Sequence, residues 1–70
     1  MNRLRVIRRG KRLNLEDVAK QIGVSPTLVW RWENEVAAPR ANHLSALAKV
    51  LDVSVQEIVD MFTGASEQVG

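Results

Sequence analysis

Apolar residues recur along this chain at helical spacing, in five short runs separated by glycine, proline and small polar residues. The first run, about Asn2 to Arg9, places Leu4 and Ile7 at i, i+3, and Gly10 is a natural stop. Asn14 offers an N-cap, with Asp17 three residues on as a capping-box variant, to a second helix of about Leu15 to Gln21. That helix turns Leu15, Val18, Ala19 and Ile22 inward, and Gly23 stands where a left-handed cap belongs. Ser25 is a strong N-cap and Pro26 suits a first helical position, so a third helix is predicted from Pro26 to about Asn34.

A loop with Pro39 spans about Glu35 to Arg40. The fourth helix, about Ala41 to Leu51, stripes Leu44, Leu47, Ala48 and Leu51 along one face. After the turn at Asp52-Val53, the box from Ser54 to Glu57 starts a fifth helix that carries Val55, Ile58, Met61 and Phe62. From Thr63 onward small and polar residues predict a frayed end, which divides the chain into a domain over 1–62 and a flexible tail over 63–70. The pattern is all-α. Only Val24 separates the glycine that ends the second helix from the cap of the third, so the two must cross steeply, as in a helix-turn-helix.

Seventy residues make one domain with a small core, and with no cysteine that core holds without disulfides or thiolate-bound metal. No apolar run is long enough for a membrane span, and the first residues alternate arginine with Leu4, Val6 and Ile7 in place of a signal-peptide pattern. A soluble, cytoplasmic protein is expected. The net charge of +2 says little, but its distribution says more: Arg3, Arg5, Arg8, Arg9, Lys11 and Arg12 crowd the start of the chain. This asymmetry suits either a polyanion partner or a solvated helix face.

At about 100° per residue, the third helix separates into faces. Val29, Trp32 and Glu33 fall together on the side of the Ser25 cap, while Thr27, Arg31 and Asn34 lie opposite, with Leu28 and Trp30 on the flanks. A hydroxyl, a guanidinium and an amide can hydrogen-bond base edges or phosphates, although any amphipathic helix has such a solvated face. Nothing points to an enzyme. His43, the lone histidine, has no metal-ligand spacing or nucleophile beside it and reads as a surface or capping residue. No phosphate-binding glycine loop and no carboxylate pair stands out, and no cofactor or metal is expected.

Leu13-Asn14-Leu15-Glu16-Asp17-Val18-Ala19, Ile22-Gly23-Val24-Ser25, Val29-Trp30-Arg31-Trp32-Glu33-Asn34, Pro39 and Leu44 to Val53 together resemble the phage Cro and repressor type of helix-turn-helix family, over roughly Arg3 to Ile58. The resemblance implies a five-helix bundle of lambda-repressor-like type, prokaryotic or phage-encoded and nucleoid-associated, with helices two and three as the reading unit. It also implies base-reading positions at Pro26, Thr27 and Arg31. Arg31 can take guanine bidentately, Thr27 can hydrogen-bond or meet a thymine methyl, and Pro26 offers an apolar contact only. Arg8 and Glu33 match a structural ion pair. Asn34 matches a position that touches the DNA backbone, and Arg3, Arg5, Arg9, Ser25, Trp30 and Arg40 complete the expected backbone set.

Three residues depart from the family pattern. Leu15 stands where glutamine often anchors a phosphate, and Glu35 replaces the glycine that usually closes the recognition helix. With Glu35 there, either Asn34 takes the left-handed conformation or the helix ends differently. Trp30 can pack on sugar or base, serve a partner interface, or fold back over neighbouring helices. The expected function is sequence-specific binding of double-stranded operator half-sites by a homodimer, at least on DNA, most simply as a repressor that blocks a promoter. The competing reading is a protein-interaction module of the same fold, antitoxin-like or regulator-binding, using Trp30 and the C-terminal helix (Ile58, Met61, Phe62).

Overall fold

A computed structural model describes the backbone of residues 3–69 and the side chains of residues 3–62. Its elements are α1 (Leu4–Gly10), α2 (Leu15–Ile22), α3 (Pro26–Glu33), α4 (Ala41–Leu51) and α5 (Val55–Val69), and among the described residues all regular structure is helical. The Cα radius of gyration is 11.4 Å, close to the ~11 Å of a compact chain of this length.

Three helices begin on the caps expected from the sequence. The Asp17 N–H donates to Asn14 Oδ1 at 2.7 Å, and the Asn14 N–H donates back to the Asp17 carboxylate at 3.0 Å. The same reciprocal box joins Ser54 and Glu57, at 3.1 and 3.2 Å. At α3, Ser25 Oγ accepts the Leu28 N–H at 3.3 Å and Pro26 opens the helix. Each box satisfies backbone donors that a helix start would otherwise leave to water.

The helix ends share one device. After each of α1 to α4 a single residue turns left-handed: Arg12 (φ 60), Gly23 (φ 89), Glu35 (φ 59) and Asp52 (φ 56). The following N–H then reaches back five residues, from Leu13 to Arg8 O, Val24 to Ala19 O, Val36 to Arg31 O and Val53 to Ala48 O, at 2.9–3.1 Å. This is the Schellman closure, which satisfies orphan carbonyls of the last turn. Leu13, Val24 and Val53 are half-buried against the core, as the motif favours, whereas Val36 stays exposed.

Helix α1 stops at Gly10 as expected, and of the two endings left open for α3 the second is adopted. Gly10 is the last helical residue of α1 and not its turning point, which falls at Arg12. At the end of α3, Glu35 itself takes the left-handed conformation usually left to glycine, and Asn34 (φ −99) does not. Helical backbone also continues to Val69, beyond the fraying expected from Thr63; side chains of the expected flexible tail, 63–70, lie outside the described residues. Asn2, the expected start of α1, lies outside them too.

Leu4, Val18, Ala19, Val29, Trp32, Leu47, Ala48, Leu51 and Ile58 form the buried core, drawn from all five helices. Ile7, Leu15, Ile22, Leu44, Met61 and Phe62 pack around it half-buried. Val55, which opens α5, is 41% exposed, and Ile58 one turn later enters the core. His43, expected at the surface or as a cap, is half-buried, its ring lying tilted against Trp32 with centroids 5.6 Å apart. Such a pair adds to area burial when both rings are held in place.

Candidate nucleic-acid interface

The segment from Gly23 to Pro26 sets the geometry. Left-handed Gly23 closes α2, Val24 turns half-buried toward the core, and Ser25 caps α3 directly, so α2 and α3 pack closely at a steep turn. Burial then sorts α3. Val29, Trp32 and Glu33 are buried, while Pro26, Thr27, Trp30 and Arg31 are exposed and Leu28 and Asn34 are half-buried. Burial thus divides α3 as its spacing predicts, except that Asn34 is half-buried.

The scaffold side is fixed by a charge clamp. Arg8 Nε donates to Glu33 Oε2 at 2.5 Å and a second Arg8 nitrogen to Glu33 Oε1 at 3.2 Å, while its third points to the Leu13 carbonyl at 2.8 Å. Glu33 is 1% exposed. The bidentate fork ties α1 to the end of α3 and also anchors the turn after α1. Arg5 joins it, Nε to Glu33 Oε1 at 3.3 Å, a partner the sequence reading missed. One buried carboxylate thus holds two arginines that lie one turn apart on α1.

The remaining cations divide by place. Arg3 is exposed at a depression shared with Glu57, Asp60 and Met61 of α5, so its charge faces acidic neighbours. Arg9 and Arg40 are exposed, Arg40 standing just before α4. Lys11 pairs across the surface with Asp52 at 3.2 Å. Ser25 is exposed, and its hydroxyl keeps a donor after accepting from Leu28. Asn34 bends its amide back onto the Trp30 carbonyl at 2.9 Å, which spends one of its donors on the helix.

The N-terminal ends of α2 and α3 meet: Asn14, Leu15 and Glu16 share a shallow depression with Pro26 and the edge of Arg8. The start of α3, with no acidic residue in its first turn, presents partial positive charge suited to phosphate, whereas Glu16 and Asp17 offset that of α2. Beside these helix starts Trp30 is 46% exposed and lines a groove with Leu15, Pro26 and Thr27. It therefore does not fold away over neighbouring helices. The nearness of Leu15 to Trp30 had no signal in the sequence, because it depends on the angle between α2 and α3.

Two helices joined by this turn, the second projecting a polar face from a clamped scaffold, define a helix-turn-helix. Comparison with known proteins agrees: the chain matches the helix-turn-helix family over residues 4–58 and belongs to it. It is also similar to the HTH-type transcriptional activator BcrR of Enterococcus faecalis, with 32% identity over 57 residues. That match covers 81% of this chain but only 28% of the relative. No helix among the described residues is long and apolar enough to cross a membrane.

Proposed function

We propose that this chain is a DNA-binding transcription regulator that lays α3 in the major groove. The observation that carries the proposal is the exposed Thr27–Arg31 face, projecting from a helix whose opposite side is locked by Trp32 and the Arg8–Glu33 clamp. A rigid scaffold under exposed hydrogen-bonding groups is what base reading requires. Arg31 takes guanine O6 and N7, a contact of roughly 1–3 kcal/mol in discrimination, and Thr27 reads a neighbouring base. The start of α3, with Ser25, Arg9, Arg40 and the remaining Asn34 amide capacity, holds phosphates. Arg3 and Arg5 add a weaker field, since both face carboxylates within the fold.

One such domain covers a half-site, so a homodimer reads a two-fold operator. Met61 and Phe62, half-buried on α5, are the candidates for that contact. Occupancy of a promoter by the domain is enough to exclude other proteins, which supports repression; the similar Enterococcus faecalis protein is named an activator, so a promoter fusion with and without the chain decides the sign. Exposed Trp30 and Val36 favour one alternative, a protein-interaction module of the same fold. A duplex titration over increasing salt separates the two. DNA binding predicts affinity that falls steeply and log-linearly as counterions are released. Salt-insensitive association with protein, and retardation of no duplex, would overturn it.

A further inference from the structure

The working face of α3 is half apolar. Leu15 from α2, and Pro26 and Trp30 from α3, line one groove together with Thr27, and Arg31 follows Trp30 directly. Trp30 is 46% exposed although α2 lies close enough to cover it, so the side chain is held at the surface beside the polar readers. Pro26 brings no N–H, and Leu15 brings no polar atom to the start of α2. Apart from the Thr27 hydroxyl and the Trp30 indole N–H, the side chains of this groove are apolar.

Base edges in the major groove of unmodified DNA present donors, acceptors and one apolar group, the C5 methyl of thymine. Resting on the proposed DNA-binding role, we infer that the Leu15–Pro26–Trp30 groove is a thymine-methyl reader, placed next to the guanine contact of Arg31. The charge pattern fits this occupant. Arg31 and the start of α3 draw in the polyanion, and the apolar part of the groove then selects for the methyl. Specificity on this side of the half-site is for A·T pairs with the thymine turned toward α2.

Replacing thymine by deoxyuridine removes the methyl and leaves every hydrogen-bonding group in place. On a duplex enriched by the full chain from a random pool, each thymine is changed in turn to uracil and affinity is measured at fixed salt. One or two positions in the half-site should lose about fourfold, the ~0.8 kcal/mol of a buried methyl converted at about 1.4 kcal/mol per tenfold. Trp30→Ala and Leu15→Gln should each bring that uracil penalty close to one, whereas Arg31→Ala should leave it in place. Equal binding of thymine and uracil duplexes by the unaltered chain would overturn the inference while leaving DNA binding intact. So would a Trp30→Ala loss equal on both duplexes, which would mean packing on sugar. If no duplex is enriched, the DNA-binding reading itself fails.

Discussion

Arg8 and Glu33 sit 25 positions apart in the chain, yet they share a bidentate contact at the centre of the scaffold. A buried carboxylate left without its guanidinium is costly, so Arg8→Met should destabilise the fold by about 3–5 kcal/mol, read as a lower urea midpoint. Arg8→Met combined with Glu33→Leu should cost much less than the two single changes summed, because neither charge is then stranded. An additive double mutant would show that the pair is not a coupled unit. The pair was legible only through family resemblance, since neither periodicity nor composition links positions so far apart. Arg5 shows the limit of that route. It reads as a surface cation, and only the packing of α1 on α3 turns it toward Glu33.

Among the elements, the starts and ends of α1 to α4 were legible to within two residues, but the conformation that closes each end was not. Asn14, Ser25 and Ser54 cap by side-chain chemistry, which residue type reports directly. The ends depend on a left-handed residue whose identity is free when an apolar residue follows it into the core, as Leu13 follows Arg12 and Val53 follows Asp52. Glycine makes one of these four turns, so a search for glycine finds Gly23 and places the stop of α1 at Gly10 without locating its turn at Arg12. Two substitutions of opposite sign test the idea. A Cβ at Gly23 would meet nothing within 4 Å, so Gly23→Ala should lose about 1–2 kcal/mol through backbone conformation alone. Arg12→Gly relieves that same strain and should gain about 0.5–1 kcal/mol, less than the full amount because glycine loses more entropy on folding. Thermal melts that moved both variants the same way would contradict the shared closure.

Across the whole molecule, four of the six cations at the start of the chain face carboxylates of the fold. Arg5 and Arg8 serve Glu33, Lys11 pairs with Asp52, and Arg3 faces Glu57 and Asp60, so the linear charge count overstates the field offered to DNA. The core that supports the working face is small, and Trp32, 1% exposed, is its largest fully buried side chain. Trp32→Ala should cost about 3–5 kcal/mol, against the 5–15 kcal/mol of an ordinary domain. Loss of cooperative unfolding by circular dichroism at 37 °C is the expected result; a sharp, scarcely shifted melt would place the core elsewhere. The helix pattern and the division of α3 into two faces were readable from spacing alone, because 3.6-residue periodicity encodes them. The neighbours of Trp30 were not, because they come from two helices whose crossing no local rule fixes.

The central claim is that α3 reads a duplex through Arg31. Selection of bound duplexes from a random pool, run in parallel with the unaltered chain and with Arg31→Ala, tests it most directly. A defined half-site should emerge from the unaltered chain, with a guanine that the variant no longer enriches while the flanking preferences persist. Identical motifs from both proteins, or no enrichment by the unaltered chain, would contradict it.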